Sequence, residues 1–258
     1  MKSKQKAIRV GNHKAPAILT LPEANKPRSI LIVLPGGGLL YDKQWAFKWL
    51  PMEDLPILCA YIDLPLHGER KVDDLRERYR KDRLTEFYVP TILGMSKEIP
   101  SIIDDLLELI QDCSIGTVGI CGWSIGGLAA FLSAVEENRI TALAGFAIPT
   151  HTNYLHLKQF PRDKKVLALL EKLNLTTKVK ALYPRPVLLM HGLDDNWVNA
   201  ESSRSLYGIL KPIYAGFPEN LRHVEYENVS HDPCASGIKE LQAIREEIRN
   251  WFKKTLLD

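Results

Sequence analysis

The run Gly122-Trp123-Ser124-Ile125-Gly126 sets a serine between two glycines where the chain changes character. Thr117–Cys121 before it is short and apolar, as a buried strand should be, and 127–135 after it is rich in helix formers. A hydroxyl on such a strand-to-helix turn is presented at the sheet's edge, and the turn's backbone N–H groups aim at whatever it attacks. Serine alone is a poor nucleophile. It needs a base within hydrogen-bond reach and a third group, usually a carboxylate, that holds the base in the right tautomer. Two later loops can supply both. After the apolar run Pro186–Met190 comes His191-Gly192-Leu193-Asp194-Asp195, and after 223–227 comes Ser230-His231-Asp232. The order Ser…Asp…His is the one expected when a turn of this kind carries the nucleophile. Spacing leaves the choice between Asp194 and Asp195 open.

Acyl transfer also requires preorganised donors for the oxyanion of the tetrahedral intermediate. The N–H of Ile125, directly after the nucleophile, is one candidate. The loop Pro35-Gly36-Gly37-Gly38-Leu39 follows another apolar run, and its glycines allow close backbone approach. Gly37 is expected to donate, with Gly38 second. No G-x-x-x-x-G-K-[ST] or G-x-G-x-x-G pattern accompanies this loop, so it does not read as a phosphate cradle. Gly38, Leu39, Trp123 and Tyr154 are the expected substrate contacts. Tyr41, Trp45, Phe47, Trp49, Phe87 and Tyr88 fit either an acyl-pocket wall or core packing.

These residues must be positioned by a sheet. Apolar runs at Ala17–Leu21, Ser29–Leu34, Pro56–Ile62, Thr117–Cys121, Ala142–Ile148, Pro186–Met190 and His223–Glu227 alternate with amphipathic stretches. The helical stretches are Val72–Arg83, Lys97–Gln111, Gly126–Val135, Ala200–Leu210 and Lys239–Lys254. Alternation of this kind predicts an α/β fold: a mostly parallel sheet of about eight strands flanked by helices. Only a short turn separates the opening strands, so that edge is expected to be antiparallel. The whole chain, 1–258, reads as a single domain, with an insertion at about 149–184 interrupting the alternation. It holds a short amphipathic helix at Lys164–Leu173, and it leaves from a strand's carboxyl end, where ligands bind in such sheets. It is expected to be a small cap. The charged stretch Glu69–Arg83 carries seven basic and five acidic residues and reads as a solvated helix face.

Composition narrows the partners. A net charge of +3 in 258 residues argues against nucleic acid. No run of signal-peptide or membrane-spanning character is present, so a cytoplasmic protein without membrane insertion is expected. Cys59, Cys113, Cys121 and Cys234 form no metal-binding spacing, so neither a metal nor a cofactor is called for. A homodimer is left open.

Taken together, the motifs resemble the α/β-hydrolase superfamily over nearly the whole chain. The oxyanion loop matches in its glycines, with Pro35 where the family pattern has histidine. The family's Asp-x-Pro-x-His-Gly run is found at Asp63-Leu64-Pro65-Leu66-His67-Gly68, and its His-Gly-x-x-Asp-x-x-Val run at His191, Gly192, Asp195 and Val198. The resemblance favours Asp195 as the acid and gives His67 and His191 structural places in their turns. It points to the branch of bacterial carboxylesterases, dienelactone-hydrolase-like enzymes and the prolyl-oligopeptidase catalytic domain. It implies a cofactor-independent serine hydrolase that cleaves small or medium carboxylic esters through Ser124, His231 and Asp195. A small peptidase, amidase or thioesterase would use the same triad. A receptor that has kept the fold without turnover is the reading from outside the enzymes.

Overall fold

The computed structural model describes residues 3–22, 27–38, 40–52, 55–110, 117–151 and 163–258. Eight strands form one sheet: β1 (Ser3–Val10), β2 (Ala15–Pro22), β3 (Ser29–Leu34), β4 (Ile57–Ile62), β5 (Thr117–Trp123), β6 (Ile140–Phe146), β7 (Val187–Gly192) and β8 (Leu221–Tyr226). Their spatial order is β1-β2-β4-β3-β5-β6-β7-β8. From β4 to β8 all neighbours are parallel, and β2 joins β4 antiparallel. The antiparallel edge is therefore present, but β2 and β3 are not neighbours. β4 lies between them, and the antiparallel hairpin is β1–β2. β1 carries exposed Lys4 and Lys6, a polar pattern that hides a strand from sequence reading and also protects a sheet edge from stray pairing.

The inner strands are apolar throughout because helices cover both faces. Ile30, Ile32 and Leu34 of β3 point into one core layer while Leu31 and Val33 point into the other, the two-residue alternation of a strand. The helices are α1 (Lys43–Trp49), α2 (Leu75–Lys81), α3 (Gly94–Glu108), α4 (Ile125–Glu136), α5 (Lys164–Leu173), α6 (Glu201–Ile213) and α7 (Ile238–Leu256). The first layer takes α3, α4 and α6. The second takes α1 and α7, whose Ile244, Ile248, Trp251 and Phe252 are buried at helical spacing.

Two helical stretches depart from the sequence expectation. Residues 43–49 form α1, capped by the Asp42 carboxylate, which accepts the Trp45 N–H at 3.0 Å. Trp45 and Trp49 stack within it, 5.6 Å between ring centroids, so most of this aromatic cluster is packing. Arg83–Leu93 is a π-helix containing Pro90, started by Asp82, whose carboxylate accepts the Thr85 N–H at 2.9 Å. Proline speaks against a helix in sequence, but a π-helix is a distortion that recurs near functional sites.

Candidate active site

Ser124 sits between β5 and α4 with φ 54° and ψ −125°. A residue with a side chain is strained there, at a cost of about 1–3 kcal/mol that the surrounding structure must offset. The turn is locked from both sides. The Ser124 N–H donates to Phe146 C=O at 2.9 Å, and the Ser124 carbonyl accepts from Leu128 N–H at 3.0 Å. The flanking glycines are sterically required. A Cβ on Gly126 would lie 1.9 Å from the Pro35 carbonyl oxygen, and one on Gly122 would lie 2.6 Å from the Gly126 backbone. Those clearances hold the nucleophile turn directly against the glycine loop after β3.

The loops after β7 and β8 meet above this turn. His231 Nε2 is 3.0 Å from Ser124 Oγ, and His231 Nδ1 is 2.7 Å from Asp195 Oδ2. Asp195, not its neighbour Asp194, makes this contact. Its other oxygen accepts the N–H groups of Trp197 and Val198, each at 2.8 Å, and His191 Nε2 lies 3.3 Å from Oδ2. Burial alone would favour the neutral acid, but the bonds from His191 and His231 outweigh it and hold the Asp195 carboxyl well below its ordinary range. His191 also contacts the Val198 carbonyl at 2.8 Å, which braces the turn as expected. Asp232, adjacent to the histidine in sequence, faces elsewhere: it caps a short turn through Cys234 N–H at 2.8 Å.

Trp123 does not contact the space in front of the serine. Strand alternation turns it into the second core layer, where it is fully buried and stacks on Trp45 at 4.3 Å. Its indole N–H donates to the His231 carbonyl at 2.7 Å, so it holds the histidine's loop rather than substrate. Of the other expected contacts, Gly38 borders the cavity, while Leu39 and Tyr154 lie outside the described residues.

The glycine loop divides its donors. Gly38 N–H donates to His67 Nε2 at 2.9 Å, and His67 Nδ1–H donates to Pro65 C=O at 2.8 Å. Burial lowers the His67 pKa, which keeps the imidazole neutral and able to accept. Gly38 is thus committed, while no described residue accepts from Gly37 N–H. Ile125 opens α4, so its N–H has no acceptor within the helix. Gly37 and Ile125 touch: a Cβ on Gly37 would lie 2.3 Å from Ile125 Cδ1. Behind the loop, buried Asp63 accepts from Lys43 N–H at 2.7 Å, Lys43 Nζ at 2.9 Å and Glu69 N–H at 3.0 Å. Asp63 therefore shapes the loop. The role of His67 as a clamp was visible in sequence only as a motif position.

In front of the serine lies a cavity of about 730 Å³, bordered by Gly37, Ser124, Ile125 and His231. Its far wall comes from Leu75, Arg76, Tyr79 and Arg80 of α2, in the stretch expected to be a solvated helix face, and from Phe87 and Tyr88 of the π-helix, for which a pocket wall and core packing were both open. The insertion at 149–184 contributes Pro149. Its helix α5 rests on the π-helix, and 152–162 lie outside the described residues. Among the described residues there is no cluster of His, Cys, Asp and Glu suited to a metal ion, and no helix is long and apolar enough to cross a membrane.

No protein-family model matches the chain. In sequence it is 28% identical over 207 residues to the Bacillus subtilis (strain 168) protein named "Putative esterase YitV", covering 74% of this chain and 75% of that one. In structure it is similar to TT1662 from Thermus thermophilus, with a TM-score of 0.74 and 21% identity over 98% of this chain and 99% of that one. It is also similar to the Pyrococcus horikoshii acylaminoacyl peptidase, with a TM-score of 0.71 and 16% identity, covering 99% of this chain but 42% of the peptidase. The sheet order, the strand-end loops and these likenesses define an α/β-hydrolase fold. At the strand ends of that fold the chain sets a hydrogen-bonded Ser-His-Asp arrangement.

Proposed function

We propose that the protein hydrolyses carboxylic esters of small or medium size, with Ser124 as nucleophile, His231 as general base and acid, and Asp195 as the group that orients His231. The observation that carries this reading is the continuous line from Asp195 through His231 to Ser124, with contacts of 2.7 and 3.0 Å, at the floor of a cavity. Ser124 Oγ attacks the ester carbonyl and passes its proton to His231 Nε2. The ionised Asp195 stabilises the imidazolium, and the Gly37 and Ile125 N–H groups receive the oxyanion. His231 returns the proton to the leaving alcohol, and water then repeats the sequence on the acyl-enzyme. The likeness to the B. subtilis protein named "Putative esterase YitV" supports the substrate class. The insertion at 149–184 is in this proposal a small cap, with its helix α5 resting on the π-helix.

A second reading, cleavage of an amide beside a free amine, draws on Asp194 and Asp232, which both border the cavity, and on the likeness to a peptidase. A p-nitrophenyl ester series from acetate to dodecanoate, run beside aminoacyl nitroanilides, separates the two. Ester turnover that vanishes in Ser124→Ala, together with loss of fluorophosphonate labelling, is the expected result. Anilide cleavage without ester cleavage would replace this proposal with the peptidase. Equal labelling of wild type and Ser124→Ala would remove Ser124 as nucleophile.

A further inference from the structure

The cavity wall formed by α2 has a charge arrangement that the triad chemistry does not use. Leu75, Arg76, Tyr79 and Arg80 border the cavity, and at 100° per residue they share one face of the helix. The cations on the opposite side have partners: Arg78 pairs with Asp74 at 2.8 Å and Lys81 with Glu86 at 3.4 Å. Arg83, where the π-helix starts, lies over the Tyr79 ring at 4.3 Å. Arg76 and Arg80 have neither an ion pair nor a hydrogen-bond partner among the described residues. Like charges four residues apart weaken a helix, so local stability does not account for the pair. Both are exposed at the cavity's margin.

The triad loops bring the other sign to the cavity. Asp194 follows β7 and Asp232 follows β8, on the loops that bring Asp195 and His231 to the serine. Asp232 is held by Cys234 N–H at 2.8 Å and the Tyr41 hydroxyl at 3.4 Å. An anion entering this cavity is repelled from the triad loops and drawn to α2. Guanidinium is the side chain best matched to a carboxylate, because its planar fork can donate two parallel hydrogen bonds.

We infer that Arg76 and Arg80 form a subsite for an ionised acid group on the substrate, so that the preferred esters are half-esters of dicarboxylic acids. The charged end lies on α2 and the ester carbonyl at Ser124. This rests on the esterase reading above and deepens it. The two carboxylates on the triad loops make the subsite directional, since they disfavour the reversed pose, with the free carboxylate at the serine.

Monoethyl adipate carries a carboxylate where diethyl adipate carries a second ethyl ester, and hydrolysis of both is followed by pH-stat, counted per ester bond. The wild type is expected to favour the half-ester in kcat/KM by about tenfold, the combined upper range of two exposed charge pairs. In the double variant Arg76→Gln, Arg80→Gln the ratio should fall about tenfold, and further toward the diester as Asp194 and Asp232 come to dominate the cavity. Arg78→Gln, at a position that pairs with Asp74 and does not border the cavity, should leave the ratio where it was. The ratio is insensitive to a uniform loss of active protein, so it separates recognition from folding. A wild type that hydrolyses diethyl adipate with no preference for the half-ester overturns the subsite and leaves the esterase standing. An unchanged ratio in the double variant also overturns it. Hydrolysis of neither ester, with anilide cleavage retained, removes the esterase reading and the subsite with it.

Discussion

The floor of the cavity and its far wall are built on opposite plans. The floor is made of strand ends: Ser124 after β5 and Asp195 after β7, both buried on both faces, and His231 after the half-exposed edge strand β8. Each triad residue is fixed by backbone hydrogen bonds as well as by its partner, down to the Trp123 indole that holds His231 from behind. The wall is a seven-residue helix followed by a π-helix, with buried Phe87 and Tyr88, half-buried Tyr79 and exposed arginines. A floor of this kind resists variation, because shifting one group by an ångström breaks the proton path. A wall of this kind can change its side chains without disturbing the sheet. The difference assigns reaction to the floor and choice of substrate to the wall, and variants on each side should separate into effects on kcat and effects on KM.

The largest effect belongs to the floor. Asp195→Asn keeps the shape but replaces an anion with an amide beside His231, favouring the wrong tautomer. It is expected to lower kcat about 10,000-fold, while Asp194→Asn, whose side chain faces the cavity and not His231, should stay within about tenfold. Steady-state kinetics on a p-nitrophenyl ester decide it. If the two substitutions exchange places, the loop must adopt another turn in solution, and the rigid floor described here is wrong.

The next effect tests the seam between the two regions. His67 lies between Gly38 of the oxyanion loop and Phe87 of the wall, 5.6 Å from the Phe87 ring. Losing one oxyanion donor outright costs about 100- to 1,000-fold. His67→Gln, which only releases the loop that aligns Gly37, should cost less, about 10- to 100-fold in kcat with KM nearly constant. Its pH signature has a definite sign. Burial depresses the His67 pKa, so the unfolded chain binds the proton more readily than the folded one. The stability that His67 contributes is full above about pH 6.5, the unfolded value, and declines as pH falls below it. Thermal melts of the wild type should show that decline, and those of His67→Gln should show less of it. A fall in KM-normalised binding with kcat intact would make His67 a part of the wall instead.

How much of each region could be read from the chain follows the same division. The floor was legible because it obeys rules of local sequence: glycines at Gly122 and Gly126 where no Cβ fits, apolar runs for two-sided strands, and loop residues directly after them. Spacing could not choose between Asp194 and Asp195, since adjacent residues in a turn point apart, and the family pattern supplied the choice. The assignment of Trp123 to substrate failed for a reason that the strand itself contains. Next to a residue at the strand's tip, alternation sends the tryptophan into the core. The wall was illegible because its helix is short, its charges are dense and Pro90 interrupts the pattern. Nothing in Glu69–Arg83 shows that Arg76 and Arg80 border the cavity while Arg78 pairs with Asp74 away from it. That depends on how the helix docks, which is a property of the fold. β1 was missed for a related reason, since lysines on an edge strand look like a polar tail.

The smallest effect belongs to the wall and is the strictest check on the division. Tyr79 is half-buried at the cavity's edge, in edge-to-face contact with Phe87 at 5.1 Å and under the Arg83 guanidinium. It touches no triad residue. Tyr79→Leu preserves apolar bulk while removing the ring that a neutral acyl chain would pack on. Substrate and transition state use that surface equally, so the loss is uniform binding and should raise KM about threefold with kcat within about twofold. Longer acyl chains should feel it more than acetate, because a longer chain reaches further toward α2. The measurement is KM and kcat across the p-nitrophenyl series for wild type and variant. If kcat falls while KM holds, Tyr79 is coupled to the oxyanion loop through Phe87 and His67. In that case the wall sets the floor's geometry, and the two regions work as one.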